Sequence, residues 1–167
     1  MDLPIVLSHK TAWLYHNVVR PSEPLSRASS LYDEDSLANE AEPTASLPKL
    51  GLDAKGLRAS TAAGIVTDYL VSLGIPREEL DHIDTLVNFD FERSTPAGFR
   101  CHVFGAPVPP GHLIEVAEGL LVVDEVMCFV QAGSWMSEPE QLEYGYEICA
   151  RYHLNHLSTG DYIEMGQ

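Results

Sequence analysis

The first apolar pattern with helical spacing occupies residues 8–20. Ser8 precedes it and predicts an N-cap, because a serine hydroxyl in that position accepts a hydrogen bond from a free N–H of the first turn. Pro21 marks the end, since a proline disfavours helical geometry at the residue before it. The stretch LSHKTAWLYH, residues 7–16, is therefore predicted to be mainly the start of a helix that packs on the core.

The middle of the chain changes from a helical period to a period of two. Residues 60–73 form a second predicted helix that Gly74 caps, with an apolar face of Ala62, Ile65, Val66, Tyr69, Leu70 and Leu73. From His82 onward alternation predicts strands at 83–89 and 99–103, followed by a hairpin of 113–116 and 120–124. LLVV at 120–123 is apolar on both faces, so we expect this strand to be central.

Two more helices are predicted near the end of the sequence. Asp124 caps the first, which runs to about Met136 with Val126, Phe129 and Val130 facing inward. Ser137-Glu138-Pro139-Glu140 is a capping box that begins the second, whose apolar face is Leu142, Tyr146, Cys149 and His153. The order of elements predicts one α+β domain over residues 1–167, with helices packed on a small mixed, mostly antiparallel sheet of three or four strands.

Residues 21–56 interrupt this regular pattern. They are rich in Ser, Ala, Pro and acidic residues, and their apolar positions define no face. Such a composition predicts a long, acidic, partly disordered loop or an insertion.

The charge limits the classes of partner. The chain carries 25 acidic and 10 basic residues, for a formal net charge of −15. This balance disfavours direct binding to nucleic acid, which depends on Lys and Arg, and favours a basic protein partner. Alternatively, the acidity only keeps the protein soluble. The candidate partner-binding residues are the acids of the long loop, Asp33, Glu34, Asp35, Glu40 and Glu42.

The cysteines and the apolar runs indicate a compartment. Cys101, Cys128 and Cys149 are an odd number without CxxC spacing, which is typical of reduced thiols. The N-terminal residues have no signal-peptide pattern, and the longest apolar run, LLVV, is too short to span a membrane. We therefore expect a soluble, cytoplasmic protein without a membrane partner.

Ser8-His9-Lys10 invites a catalytic interpretation, but neighbours in the first turn of a helix point in different directions. Ser8 and His9 are thus predicted not to form a nucleophile–base pair. His9 and His16 share a face without an acid to orient either ring, and the sequence has no GxSxG elbow. We expect no catalytic residues, and a helix in which Thr11 and Trp13 serve packing.

Metal chemistry has one candidate set. Cys149, His153 and His156 have helical spacing on one face, but no CxxC or HExxH motif accompanies them. Asp84 is not followed by the acid-x-Lys pattern of small two-metal nucleases. We expect neither a metal nor another cofactor.

Four segments resemble a group of actinobacterial proteins: SHKTAWLYH at 8–16, the strand HIDTLV, the stretch RCHVFGAPVPPGHLIEVAEGLLVVDEVMCFVQAG and the helix EQLEYGYEICARYHL. That group is related to the type IV antitoxins of abortive-infection systems and to proteins with a very-short-patch-repair-like endonuclease domain. The resemblance covers about residues 5–15 and 80–155, with matches at Ser8, His9, Thr11, Ala12 and His102.

The resemblance implies neutralisation of a protein partner. The winged-helix domain and the nuclease part of those relatives have no counterpart in this sequence, so operator binding and DNA cleavage are not carried over. Whether the chain is a fragment of a longer nuclease-bearing protein stays open. The first hypothesis is a non-enzymatic, antitoxin-like module of a phage-defence or mobile-element system, with a toxin as partner. The alternative is an acidic inhibitor of a nucleic-acid-binding enzyme, of the anti-CRISPR or anti-restriction type, with a surface that mimics DNA.

We predict that the purified protein does not bind duplex DNA at physiological salt. The net charge of −15 and the scattered basic residues offer no stripe that could displace counterions from phosphates. A gel-shift titration tests this. Micromolar or tighter binding that weakens steeply with added salt would contradict the expectation.

Overall fold

The computed structural model describes residues 4–19, 47–52, 54–55, 57–87, 97–104, 108–109 and 111–158, with side chains described as far as residue 150. Its elements are β1 (Ile5–Leu7), α1 (His9–Val18), α2 (Ala59–Ser72), a 3-10 turn (Arg77–Glu79), β2 (Ile83–Val87), β3 (Phe99–Val103), β4 (Leu113–Ala117), β5 (Leu120–Val123), α3 (Glu125–Ala132) and α4 (Glu138–Ser158). Most of the predicted loop 21–56 lies outside the described residues. In the described part of the chain, no helix has the length and apolar content needed to cross a bilayer.

The described strands form one five-stranded sheet in the order β3-β2-β1-β5-β4. The pairs β1–β2 and β4–β5 are antiparallel, whereas β1–β5 and β2–β3 are parallel. The predicted α+β class, with helices packed on a small mixed sheet, is confirmed. β5 is an interior strand, but the centre of the sheet is β1, which the sequence analysis did not predict.

β1 has only three residues, Ile5–Leu7, yet it pairs along both edges. Ile5 and Leu7 are buried, with Leu7 at 0% exposure. The Ile5 N–H donates to Gly119 O at 3.0 Å, next to the parallel pairing with β5. On the other edge, Leu7 pairs with Thr85 of β2. β1 therefore joins the β4–β5 hairpin to the β2–β3 pair.

β2 is covered on both faces of the sheet. The period of two along this strand places His82, Asp84 and Leu86 on one face and Ile83, Thr85 and Val87 on the other. The residues from Ile83 to Leu86 are nevertheless all buried. α1 and α2 both contact this strand, and α1 also packs on α3, which packs on α4. Asp84 is thereby a charged residue inside the fold.

The inward faces of the last two helices differ from the prediction. Val126 and Val130 are 39% and 60% exposed, while α3 buries Met127, Cys128 and Gln131 instead. Phe129 lies half-buried against the core, as expected. The correction has a simple reason: α3 is apolar on almost every side, so its spacing alone does not select the buried face.

α4 shows the same difference. The predicted capping box is present, because Glu140 Oε2 accepts from Ser137 N at 2.8 Å and from Ser137 Oγ at 2.6 Å. The predicted apolar face is wrong, since Leu142, Tyr146 and Cys149 are exposed. Tyr144 and Ile148 are buried in their place. The side chain of His153 lies outside the described residues.

A close approach between α2 and the turn before β3 depends on a glycine. Gly98 has a φ of +91°, and a Cβ built on it would lie 2.7 Å from Ala63 Cβ. Its carbonyl accepts from Ile83 N at 2.9 Å. A side chain at this position would therefore push α2 away from the start of the β2–β3 pair.

We predict that Gly98→Ala lowers the free energy of unfolding by about 2–4 kcal/mol. About 1–2 kcal/mol comes from the left-handed backbone and the rest from overpacking against Ala63. Gly111→Ala is the matched control, because Gly111 also has a positive φ of +87° but nothing within 4 Å of a built Cβ. Chemical denaturation measures both. Equal losses in the two variants would show that the contact with Ala63 has no cost.

Candidate functional site

Polar side chains converge where the N-terminus of α1 meets β2 and β3. Asp84 on β2 is 2% exposed. Its Oδ1 accepts from His102 Nε2 at 2.8 Å and lies 3.4 Å from His82 Nε2. We call the following residues the histidine–aspartate cluster: Ser8, His9, Thr11, His82, Asp84 and His102.

Thr11 and Ser8 connect α1 to the backbone of β2. Thr11, which is 1% exposed, accepts a hydrogen bond on Oγ1 from Asp84 N at 2.9 Å. Its hydroxyl also lies 3.4 Å from Asp84 Oδ2. Ser8 N donates to Asp84 O at 3.0 Å. These contacts place the first turn of α1 directly over the buried carboxylate.

The side chains of Ser8 and His9 meet, contrary to the sequence-based expectation. His9 Nδ1 lies 3.0 Å from Ser8 Oγ. The prediction assumed ordinary helical geometry, whereas His9 has a φ of +49°. This left-handed conformation, uncommon for a residue with a side chain, directs the ring away from the usual helical position. The ring then stacks on His102, with centroids 3.6 Å apart and planes at 15°.

α3 holds the His9 backbone in this conformation. His9 N donates to Gln131 Oε1 at 2.9 Å, and the Cys128 thiol lies 3.6 Å from His9 O. Ser8 does stand at the N-cap position, but its side chain makes no capping hydrogen bond. The predicted role of its hydroxyl is therefore wrong: the amide of Gln131 satisfies the backbone N–H of His9, and the hydroxyl meets the His9 ring.

The cluster shifts the protonation of two of its members. Burial, followed by repulsion from His102, lowers the pKa of His9 from 6.5 to about 4, against a smaller attraction from Asp84. Burial alone would raise the pKa of Asp84. The hydrogen bond from His102 and the charges of His82, His102 and Arg100 outweigh it and hold that pKa below its ordinary value of 3.8. At neutral pH, Asp84 is thus ionised and His9 is neutral.

This arrangement favours packing over nucleophilic catalysis. A serine nucleophile needs access to substrate and a base that an acid orients. Ser8 is 0% exposed, and the carboxylate of Asp84 contacts His102 and His82 instead of the ring beside Ser8. A histidine with a pKa of about 4 is also a weak general base at neutral pH. The cluster ties α1, β2, β3 and α3 together.

The other two candidate residues of α1, Trp13 and His16, also contact the core. Trp13 is half-buried and meets Trp135 edge to face, with ring centroids 5.5 Å apart. His16 is buried, and its Nε2 donates to Val123 O at 2.7 Å. His9 and His16 therefore contact different strands, and each has its own anchoring partner.

The remaining candidates are not brought together. Asp33, Glu34, Asp35, Glu40 and Glu42 lie outside the described residues. Cys149 is an exposed free thiol, and the side chains of His153 and His156 are outside the described part of α4. Among the described residues, no group of three or more His, Cys, Asp or Glu side chains could hold a metal ion.

Sequence reasoning did not bring together four members or neighbours of the cluster: His82, Asp84, His102 and Gln131. Asp84 was considered only as a nuclease carboxylate, and His102 only as a match in the resemblance. The spacing of His82 and Asp84 places both on one face of β2, which was a usable signal. His102 needs the parallel register, in which Leu86 pairs with His102, and that register is not visible in the sequence. Gln131 gives no signal of its own.

Comparisons with known proteins add no assignment. No family model, no curated protein and no solved structure matches this chain. The resemblance to antitoxin-related proteins therefore stays a proposal.

We predict that His9 makes the protein less stable in mild acid. Its pKa is about 4 in the fold against an ordinary value of 6.5. The unfolded chain then binds the proton first, so stability is complete above about pH 6.5 and falls as the pH drops toward 4. One unit of pKa shift corresponds to about 1.4 kcal/mol, and solvent screening of this half-buried ring reduces the total to about 1–2 kcal/mol.

The test compares urea denaturation of the wild type and His9→Phe between pH 7 and pH 4.5. Phenylalanine keeps an aromatic ring over His102 but takes up no proton, so the stability of the wild type should fall more steeply with acidification. His9→Ala is the control: it loses the same pH dependence together with the ring stack. Parallel curves for all three proteins would refute the assigned pKa.

Proposed function

We propose that the protein is a non-enzymatic, antitoxin-like interaction module that binds and neutralises a basic protein partner in the cytoplasm, within a phage-defence or mobile-element conflict system. The observation that carries this proposal is an apolar surface between α3 and α4. We call it the α3–α4 groove and define it by Val126, Phe129, Leu142, Tyr146 and Cys149.

The groove has the character of a docking surface. Its volume is about 260 Å³. Leu142 and Tyr146 are 58% and 76% exposed, and Val130, one helical turn after Val126 on α3, is 60% exposed. Contiguous apolar residues in water are unfavourable, and such a patch on a folded chain commonly marks a protein interface. An exposed tyrosine is a frequent energetic anchor in interfaces.

Charge complementarity supports a basic partner. The chain has a net charge of −15, and α4 itself carries Glu138, Glu140, Glu143 and Glu147 on exposed positions. A partner with basic residues around an apolar anchor would gain long-range attraction during approach and apolar burial after contact. The described part of the acidic surface thus extends the prediction made from the loop acids.

The chemistry of the histidine–aspartate cluster supports the non-enzymatic part. Ser8 is fully buried, and the pKa of about 4 leaves His9 a poor base at neutral pH. Both properties suit a rigid scaffold that holds α1 against the sheet and, through α3, positions the groove.

A second candidate is an acidic inhibitor of a nucleic-acid-binding enzyme, favoured by the same net charge of −15. The two functions differ in their sensitivity to nucleic acid. A DNA mimic competes with duplex DNA for its target, whereas a partner held through the α3–α4 groove stays bound when DNA is added.

We predict that Tyr146→Glu abolishes partner binding without unfolding the protein. The side chain is 76% exposed, so a charge is tolerated in the free protein but opposes apolar burial in the complex. Tagged wild type and variant are used to capture partners from cells of the native host, and the partner is identified by mass spectrometry. Recovery should fall at least about tenfold, which corresponds to about 1.4 kcal/mol.

Thr61→Glu is the matched control, since it adds one negative charge at an exposed position of α2. It should capture the partner as the wild type does. The identified partner is then expressed alone: growth arrest that the wild type relieves and Tyr146→Glu does not supports neutralisation. A partner that both variants capture equally well, or that duplex DNA displaces, argues against this proposal.

A further inference from the structure

A second cleft lies on a different side of α4 from the α3–α4 groove. Trp13 of α1 and Trp135 before α4 form its aromatic wall, and Glu140, Glu143 and Glu147 of α4 lie along it. Its volume is about 220 Å³. We call this site the tryptophan cleft. With 100° between successive residues of an α-helix, Glu140 and Glu147 lie about 100° or more from both Leu142 and Tyr146, and Glu143 lies between these two sides of α4.

The aromatic wall attracts positive charge. The two indoles meet at 61°, with ring centroids 5.5 Å apart. Each indole face carries the negative part of the ring quadrupole, and tryptophan is the strongest aromatic partner of a cation. Both tryptophans of the chain line this one cleft.

The carboxylates add to the same preference. Glu140, Glu143 and Glu147 are spaced three and four residues apart, so their carboxylates lie along one side of the helix. Ser137 holds the carboxylate of Glu140 in place through its N–H and hydroxyl. None of the described residues that line the cleft is basic. A cation in the cleft would lie close to these carboxylates and would be attracted by them.

The geometry of the cleft favours an organic cation over a metal ion. A divalent metal needs several oxygen ligands that converge on one point. Among the described residues no such group exists, the three glutamates included. The cleft is also smaller than the usual pocket for a drug-sized ligand, which suits a single ammonium or guanidinium group on an apolar stem.

We propose that the tryptophan cleft binds an organic cation, an alkylammonium or guanidinium group, between its indole wall and the carboxylates of α4. The group belongs either to a lysine or arginine side chain of a protein or to a free small molecule. This inference does not rest on the proposed function, because the cleft and the α3–α4 groove are separate surfaces.

Intrinsic tryptophan fluorescence tests it directly, since both emitters line the cleft. The folded full chain is titrated with N-acetyl-arginine amide, tetramethylammonium chloride and spermidine at constant ionic strength. The neutral controls are N-acetyl-citrulline amide and tert-butanol. We expect a saturable change in emission with at least one cation and none with the neutral isosteres or with sodium chloride.

Glu143→Gln should weaken the binding about three- to tenfold while leaving the denaturation midpoint unchanged, because Glu143 is exposed. Glu115→Gln removes the same charge from an exposed position on β4 and should bind as the wild type does. Equal weakening by both variants would mean that only net charge matters and would overturn the proposal.

A second titration identifies the source of the cation. A short peptide with one arginine between alanines should bind at least as tightly as the free amide if the natural ligand is a side chain. Binding of spermidine or tetramethylammonium with exclusion of the peptide assigns the cleft to a small molecule. A linear, unsaturable response to every cation, or equal responses to arginine and citrulline amides, would show that the cleft is not a binding site.

Discussion

The pairing of three residues, Ile5–Leu7, on both edges at once is the constraint on which the rest of the molecule depends. Without β1 the β2–β3 pair and the β4–β5 hairpin share no backbone hydrogen bonds in the described sheet. The same strand delivers Ser8 to the carbonyl of Asp84, and from that point α1 can lie over the buried carboxylate. Sheet, cluster and helix α1 are therefore parts of one arrangement.

Local pattern predicted the elements well where they are long or capped. The helix from Ala59 and the capping box at Ser137 follow from spacing and cap chemistry, which act within a few residues. β1 was not predicted, because three residues are too few to show a period. The buried faces of α3 and α4 were predicted wrongly, because tertiary packing selects among several apolar sides of each helix.

The candidate site was predictable only in part. The Ser, His and Thr residues at the start of α1 drew attention to this helix. The chemistry of the cluster, however, depends on the φ of +49° at His9 and on the parallel register that brings His102 near. Both arise from contacts between residues far apart in sequence. Two surfaces with different linings, one apolar and one aromatic with carboxylates, lie on different sides of α4.

The position of β1 has a consequence for how the chain folds. Its two partners, Thr85 and Leu120, come much later in the sequence than Ile5–Leu7. During synthesis the middle of the sheet leaves the ribosome first and stays without neighbours until both flanking pairs have followed. Closing such distant pairings costs chain entropy before contacts compensate for it, so topology of this kind folds slowly. In that interval an apolar strand with two open edges can pair with other chains.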